Sequence, residues 1–474
     1  MSDKQRGYDQ GEAKPSAWLS VRVLLMLAIL LGIVFSLLIP PQKSPDEGDH
    51  LRRAYLLSQG QFFLYTEPCV GEGGFCQKGR SMSGGPIDTG LLAFLQAYDP
   101  AVARKDTEQR RLSAGALRWT GEETFALSPG TGYYFPFVYL PQAMCLGLAK
   151  AMGLSLDLSY RLVRIGNLIF GVAILALAFF IWKPPVFVMG LLLLPMSLFQ
   201  AMSASIDLSA TAIAILAISC YQRIHELKSR APLFLFVLLC VSLFLAITAR
   251  AHLGPMLVLA FVAAWWLQKR LSWVIAFLTV VAVGAWMATV IPMTVDFRVL
   301  RAASTAEVAL YYISEPMQLI QVFANTLGDP VRLKQYTTTA LGVFFDVFLN
   351  EDVYRLLLAL LIALAAVSLP SMAQLRRSWV ARGGLLVCAG GSAFLAFLAM
   401  LLTWTPHPAQ VIEGVQGRYF LVPVILLGGA CLSWFDAKLV FRRLQIGLIF
   451  CLLCLSLHAS VDTLVKAFLI GRAE

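Results

Sequence analysis

The sequence predicts an all-α, polytopic membrane protein with about eleven transmembrane helices. Three observations predict it. Hydrophobic residues make up 58% of the 474 positions, with a mean hydropathy of +0.72, whereas soluble domains sit at about 45–50% apolar. Apolar runs of the length needed to cover a ~30 Å hydrocarbon core recur from end to end. The Lys and Arg residues behind the net charge of +10 lie in short loops between those runs. That is the pattern of membrane topology, and it argues against a nucleic-acid-binding face.

The first run, about 19–39, is flanked by Lys4, Arg6, Lys14 and Arg22 and ends in Pro40-Pro41 with no Ala-x-Ala-like cleavage site. It reads as a retained helix with its N-terminus in the cytoplasm. Segment 133–152 is apolar but carries Pro136, Pro141 and Lys150, and charge decides whether it crosses. If it lies at the outer surface, the later helices run at about 161–182, 186–202, 206–222, 232–249, 252–268, 271–292, 353–372, 383–404, 418–435 and 441–465. The short inner loops then hold Lys183, Arg223, Lys228, Arg230, Lys269, Arg270, Arg376, Arg377, Arg382, Lys438, Arg442 and Arg443, and the short outer loops only Arg250 and Arg418. A spanning segment would invert every assignment, against the positive-inside rule.

This threading makes residues 1–474 one integral membrane domain with two long outer connections, about 42–132 and 293–352. The first contains a candidate amphipathic helix over Gly90–Tyr98, with Leu91, Leu92, Phe94 and Leu95 on its apolar positions. Seven cysteines (Cys145, Cys220, Cys240, Cys388, Cys431, Cys451 and Cys454) lie in apolar segments, as ordinary packing. Cys69 and Cys76 flank a polar loop and would close a small disulfide in an oxidising compartment.

Four clusters carry candidate chemistry, and all fall on the outer side. Asp46, Glu47, Asp49 and His50, followed by Arg52 and Arg53, stand just after the first helix, where ionisable groups near a bilayer are costly unless solvated or paired. A carboxylate there can act as a general base. Ser203-Ala204-Ser205-Ile206-Asp207 joins two apolar helices, and Asp207 heads the second, where N-capping is the competing explanation. Arg250-Ala251-His252 ends an apolar helix on the side that otherwise avoids Arg, which suits an anionic phosphate; snorkelling to the interface is the alternative. Glu413-Gly414-Val415-Gln416-Gly417-Arg418-Tyr419-Phe420 opens another helix, with two glycines that permit close backbone approach to a ligand and Arg418 placed to hold an anion. Walker, dinucleotide-fingerprint, HExxH and paired CxxC motifs do not occur, so ATP-driven transport and zinc-protease chemistry lack their usual markers.

At these residues the chain resembles the domain of unknown function 2142 family of bacterial multi-pass membrane proteins, grouped with the GT-C-fold glycosyltransferases. The resemblance rests on Pro45-Asp46-Glu47-x-x-His50 with Arg53-Ala54-Tyr55, and on Tyr133-Tyr134-x-Pro136 with Tyr139-Leu140-Pro141-Gln142. It continues through Pro195-Met196 to Ser205-x-Asp207, and through Gly414-Val415-Gln416-Gly417-Arg418-Tyr419-Phe420. It implies a GT-C-like fold with juxtamembrane helices after the first outer loop, in the inner membrane of a bacterium. It also implies a polyprenyl-phosphate sugar donor, a cell-envelope glycan or lipid acceptor, and a catalytic base in the first acidic motif. The family pattern has Pro after the Glu; here Gly48 and Asp49 follow, leaving Asp46, Glu47 and Asp49 all open as the base, with His50 beside them.

Arg53, Asp207, Arg250, His252, Glu413, Gln416, Arg418 and Tyr419 are then the candidate substrate-binding residues. No cofactor is required by the pattern; some GT-C enzymes use a divalent cation, and no ligand set in this sequence decides for one. The competing functions are a transporter or flippase of lipid-linked saccharides and an O-antigen-type polymerase. Scarce charges deep inside helices weigh against transport, and the carboxylate motif directly after the first helix weighs against the polymerase.

Overall fold

The computed structural model describes residues 26, 29–68, 81–99, 108–128, 130–294, 303–434 and 439–466. The basic N-terminal residues, Lys438, Cys69, Cys76 and the predicted disulfide lie outside the described residues. In chain order, α1 (Ile29–Leu38) and α2 (Glu47–Ser58) lead into an antiparallel sheet of β1 (Tyr65–Pro68), β2 (Ser81–Asp88) and β3 (Glu123–Leu127). Helices α3 (Thr89–Ala97) and α4 (Glu108–Gly115) lie between β2 and β3.

The chain is mostly helical, in keeping with the all-α expectation, and the small sheet is an addition to it. Its central strand contains Gly84-Gly85-Pro86, which lacks the alternation of a half-buried strand, yet Gly84 pairs with Leu127 and Pro86 with Phe125. Only glycine fits at 84, because a Cβ there would collide with the Ala126 carbonyl. Helix α3 matches the predicted amphipathic segment: Asp88 caps it by accepting from the Gly90 and Leu91 amides, and Leu91, Phe94 and Leu95 are buried.

A 3₁₀ turn at Pro136–Tyr139 opens α5 (Leu140–Ala151). Its 12 residues rise about 18 Å, too short for a ~30 Å core. Leu140, Met144, Leu148 and Met152 form an exposed apolar stripe along it, consistent with a helix lying on a surface. Next come α6 (Leu156–Ile181), α7 (Val186–Leu192), α8 (Pro195–Ala201), α9 (Asp207–Leu227), α10 (Leu233–Ala249), α11 (Leu257–Leu267) and α12 (Arg270–Met293). The segment expected as one helix over 186–202 is two, because Pro195 cannot donate to the ladder and restarts the helix at its first turn.

The second long connection folds into α13 (Thr305–Ser314), α14 (Pro316–Gly328), α15 (Pro330–Leu341) and the short hairpin β4 (Val343–Phe344)–β5 (Val347–Phe348). Then follow α16 (Glu351–Ala366), α17 (Met372–Arg377), α18 (Trp379–Thr403), α19 (Leu421–Cys431) and α20 (Leu439–Leu464).

Helices α6, α12, α18 and, from Val440, α20 are long and apolar enough to cross a membrane; α1, α10, Ala251–Leu267 and Gly417–Cys431 are shorter apolar helices. The structure is that of a mostly helical membrane protein. Helix α9 lies at its centre, packed by α6 and α10 and buried along most of its length. Ala210, Ala212, Ala214 and Ala217 on it let the neighbours approach closely, which is how helices gain packing energy where lipid removes the hydrophobic drive.

Candidate functional site

Four helix ends meet at the site: the exit of α1, the start of α9, the end of α10 and the start of α19. Asp46 sits before α2 with φ 57 and ψ 12, a left-handed conformation that Asp tolerates better than most residues. This turn sends two successive carboxylates to different surroundings.

Glu47 is 1% exposed. Its Oε1 accepts from Arg164 Nε at 2.8 Å and from the Ala204 amide at 2.7 Å, and its Oε2 accepts from Arg164 Nη2 at 2.9 Å. Arg164 is equally buried and donates from its other positions to the carbonyls of Ser36, Ile39 and Pro40, at 3.2, 2.6 and 3.0 Å. The guanidinium therefore closes the C-terminal end of α1, where free carbonyls and the negative end of the macrodipole favour a cation. One bidentate pair ties α1, α2, α6 and the loop before α9 together.

That loop is held further by Asn167, whose Nδ2 donates to the Ser203 and Ser205 carbonyls at 3.0 and 2.8 Å, and by Gln142, which donates to Asn167 Oδ1 at 3.1 Å. Asp207 thus enters α9 from a fixed loop. Ile206, not Asp207, is the N-cap residue of α9; Asp207 stands in the first turn with its carboxylate ion-paired. Oδ1 accepts from Arg250 Nη2, while Oδ2 accepts from Gln200 Nε2 at 3.3 Å, Ser205 Oγ at 3.3 Å and Arg418 Nη1 at 3.5 Å. The same Arg418 donates from Nη2 to Asp46 Oδ2 at 2.7 Å. The result is a charge-balanced quartet, Asp46–Arg418–Asp207–Arg250. Within it the Asp46 side chain is 43% exposed and that of Asp207 9%.

A cavity at the quartet is lined by Asp207, Arg250, His252, Arg418, Tyr419 and Gln200. The His252 and Tyr419 rings stand 6.5 Å apart. The structure therefore brings together Asp46, Asp207, Arg250, His252, Arg418 and Tyr419 from the sequence candidates. His50 stands one rank back: its Nδ1 is 2.8 Å from the Tyr139 hydroxyl, and Tyr134 lies between its ring and the Arg250 guanidinium, at 5.9 and 5.8 Å. Burial, and then the neighbouring Tyr134, push the Tyr139 phenol well up, so it stays protonated.

Other candidates sit elsewhere. Asp49 pairs with Arg52 Nη1 at 2.5 Å, and Arg52 also donates to the Leu127 carbonyl, tying α2 to β3. Arg53 is buried and donates to the Gln61 and Phe62 carbonyls at 3.1 and 2.6 Å, so it fixes the chain turning into the sheet and does not reach the quartet. Burial lowers its pKa. Glu413 and Gln416 are exposed on the loop before α19, and the quartet cavity is not lined by them.

The two glycines of that loop serve the protein's own packing. A side chain at Gly417 would collide with the α15 backbone at Tyr336 and Ala340, and one at Gly414 (φ +75) with Trp404. Among the described residues, no group of three or more His, Cys, Asp or Glu side chains converges as a metal site. The site carboxylates are met by arginines.

Sequence reasoning missed Arg164, Gln200, Tyr134 and Tyr139 as site residues. Arg164 carried a usable signal, since an ionisable residue inside an apolar helix marks a partnered position.

Residues 29–427 match the family model described as "Predicted membrane protein (DUF2142)". No curated protein and no solved structure matches the chain. With most of its length and the whole quartet inside the matched region, the chain belongs to the DUF2142 family of membrane proteins.

Proposed function

We propose that this protein is a membrane glycosyltransferase that moves a sugar from a polyprenyl-phosphate donor to a cell-envelope glycan or lipid. The single observation that carries the reading is the quartet: two arginines and two carboxylates, with a small cavity lined by Asp207, Arg250 and Arg418 and apolar cavities beside it. A lipid phosphate needs cations for its head and an apolar groove for its tail. The apolar runs support about eleven spans, and the charge asymmetry of the loops supports a cytoplasmic N-terminus with the site on the outer face. The GT-C-like arrangement and the periplasm of a bacterial inner membrane rest on the family resemblance.

The donor phosphate competes with Asp46 for Arg418, because Asp46 is the more exposed carboxylate of the pair that Arg418 bridges. Phosphate binding then draws Arg418 from Asp46, whose carboxylate accepts the proton of the acceptor hydroxyl. The acceptor oxygen bonds to the sugar's anomeric carbon, and the bond from that carbon to the phosphate oxygen breaks. The electron pair leaves on the phosphate, where Arg418 and Arg250 stabilise it. Asp207 keeps both guanidiniums aimed. Glu47 and Arg164 position the loop and do not touch substrate. No step is routed through a metal ion.

The test is mass spectrometry of envelope glycans and lipids from a deletion strain complemented with wild type, Asp46→Asn or Arg418→Ala. The reading expects one sugar unit to be missing in the deletion and in both variants, with the polyprenyl-phosphate sugar accumulating. A lipid-linked saccharide that changes membrane side while every glycan stays complete would establish transport instead.

A further inference from the structure

The short helix α8 separates two apolar cavities that both reach the quartet. One, of about 80 Å³, lies between α6, α7, α8 and α9; Leu168, Leu175, Phe179 and Met189 line it, and Asp207 stands at its polar end. The other, of about 260 Å³, is bounded by α8, α15, α16 and α19; Leu194, Leu341, Leu361 and Val424 line it, and Arg418 stands at its polar end. Gln200 and Leu421 line both of them and the quartet cavity as well. Gln200 also donates to Asp207 at 3.3 Å. The three spaces meet at the end of α8.

A single lipid-linked substrate needs one tail groove. Here there are two, and their polar ends differ in charge. The cavity ending on Arg418 suits an anionic head. The cavity ending on Asp207 has no Lys or Arg in its lining, so it suits an uncharged head that offers hydroxyls. We infer that the acceptor, like the donor, is a lipid: the donor's tail lies on the α15–α19 side of α8 and the tail of a neutral, hydroxyl-bearing acceptor lies on the α6–α9 side. The inference rests on the transferase reading and narrows it from glycan or lipid to lipid. Gln200 then stands between the two heads, in contact with the carboxylate that aims both arginines.

The experiment uses the full chain in lipid nanodiscs and three diazirine probes: undecaprenyl phosphate, a neutral dodecyl glucoside, and phosphatidylethanolamine as ordinary bilayer lipid. Undecaprenyl phosphate is expected to label α15 and α19, the glucoside α6, α8 and α9, with neither displacing the other. Thr337→Phe, at the wall of the Arg418 cavity, is expected to cut phosphate labelling about tenfold and spare the glucoside. Ala201→Phe, at the wall of the Asp207 cavity, is expected to do the reverse. Each variant's unaffected probe reports that it folds. Mutual displacement, equal loss of both probes in one variant, or equal labelling by phosphatidylethanolamine would overturn the two-tail arrangement.

Product partitioning separates this inference from the reading beneath it. A transferred sugar recovered in the butanol phase supports a lipid acceptor. A sugar transferred only to a water-soluble glycan overturns the acceptor assignment and leaves the transferase intact. No sugar transferred at all, with both probes still bound separately, overturns the transferase and the acceptor assignment together.

Discussion

The Glu47–Arg164 pair and the Asp46–Arg418–Asp207–Arg250 quartet use the same two charge types, and their first members are adjacent in the chain. The pair is closed. Its side chains are 0% and 1% exposed, every nitrogen of Arg164 donates to a protein oxygen, and no groove reaches it in the cavities described. The quartet is open: Arg418 divides itself between two carboxylates, one of them 43% exposed, and cavities touch it from several sides. A saturated buried pair fixes geometry, because any exchange of partner leaves an uncompensated charge. A buried guanidinium shared between two carboxylates, one of them 43% exposed, can exchange that exposed carboxylate for a phosphate and keep its charge paired. Motif membership does not separate these roles; the number of occupied hydrogen-bonding positions does.

That contrast can be broken from either side. The largest expected effect is on the closed pair. Arg164→Met strands the Glu47 carboxylate and three α1-end carbonyls, and the expected loss is about 3–5 kcal/mol of stability. It is read as a collapse of the monodisperse detergent-solubilised peak on heating. A double change, Glu47→Met with Arg164→Met, recovers much of that loss if the pair is structural.

Next comes Asp46→Asn, expected to lower transfer about 10²- to 10³-fold with the melting temperature unchanged, measured as turnover per folded molecule. Arg418→Lys keeps the charge but loses the two-pronged bridge, and should raise the donor KM about tenfold, checked by varying donor in proteoliposomes. The smallest effect is on Asp49→Asn, whose partner Arg52 is itself partly exposed. It should cost under about 1 kcal/mol and leave transfer within a factor of about two, a result that thermal melts and turnover together would establish.

The sequence displays helices more clearly than it displays partners. Periodic apolar runs announce α3, α6, α9 and α12 because a helix is a local object. Asp46, Asp207, Arg250 and Arg418 are individually visible as charges at helix ends. Their assembly is not visible, since Asp46 and Arg418 lie 372 residues apart and nothing local records which arginine a carboxylate meets. For the same reason Glu47 stays open as a base beside Asp46 and Asp49 until Arg164 is seen occupying it. The sheet escapes because Gly84-Gly85-Pro86 breaks the strand pattern, and Gly417 suggests a ligand when the close neighbour is α15.

The most direct test of the account compares Asp46→Asn with Glu47→Asp in one donor-consumption assay, normalised to folded protein by the melting transition. The account predicts that Asp46→Asn melts like wild type and transfers almost nothing. It predicts that Glu47→Asp, which keeps the charge but shortens the reach to Arg164, melts lower while its folded fraction still turns over. An Asp46→Asn protein with full turnover, beside a stably folded Glu47→Asp protein with none, would contradict it and assign the base to Glu47.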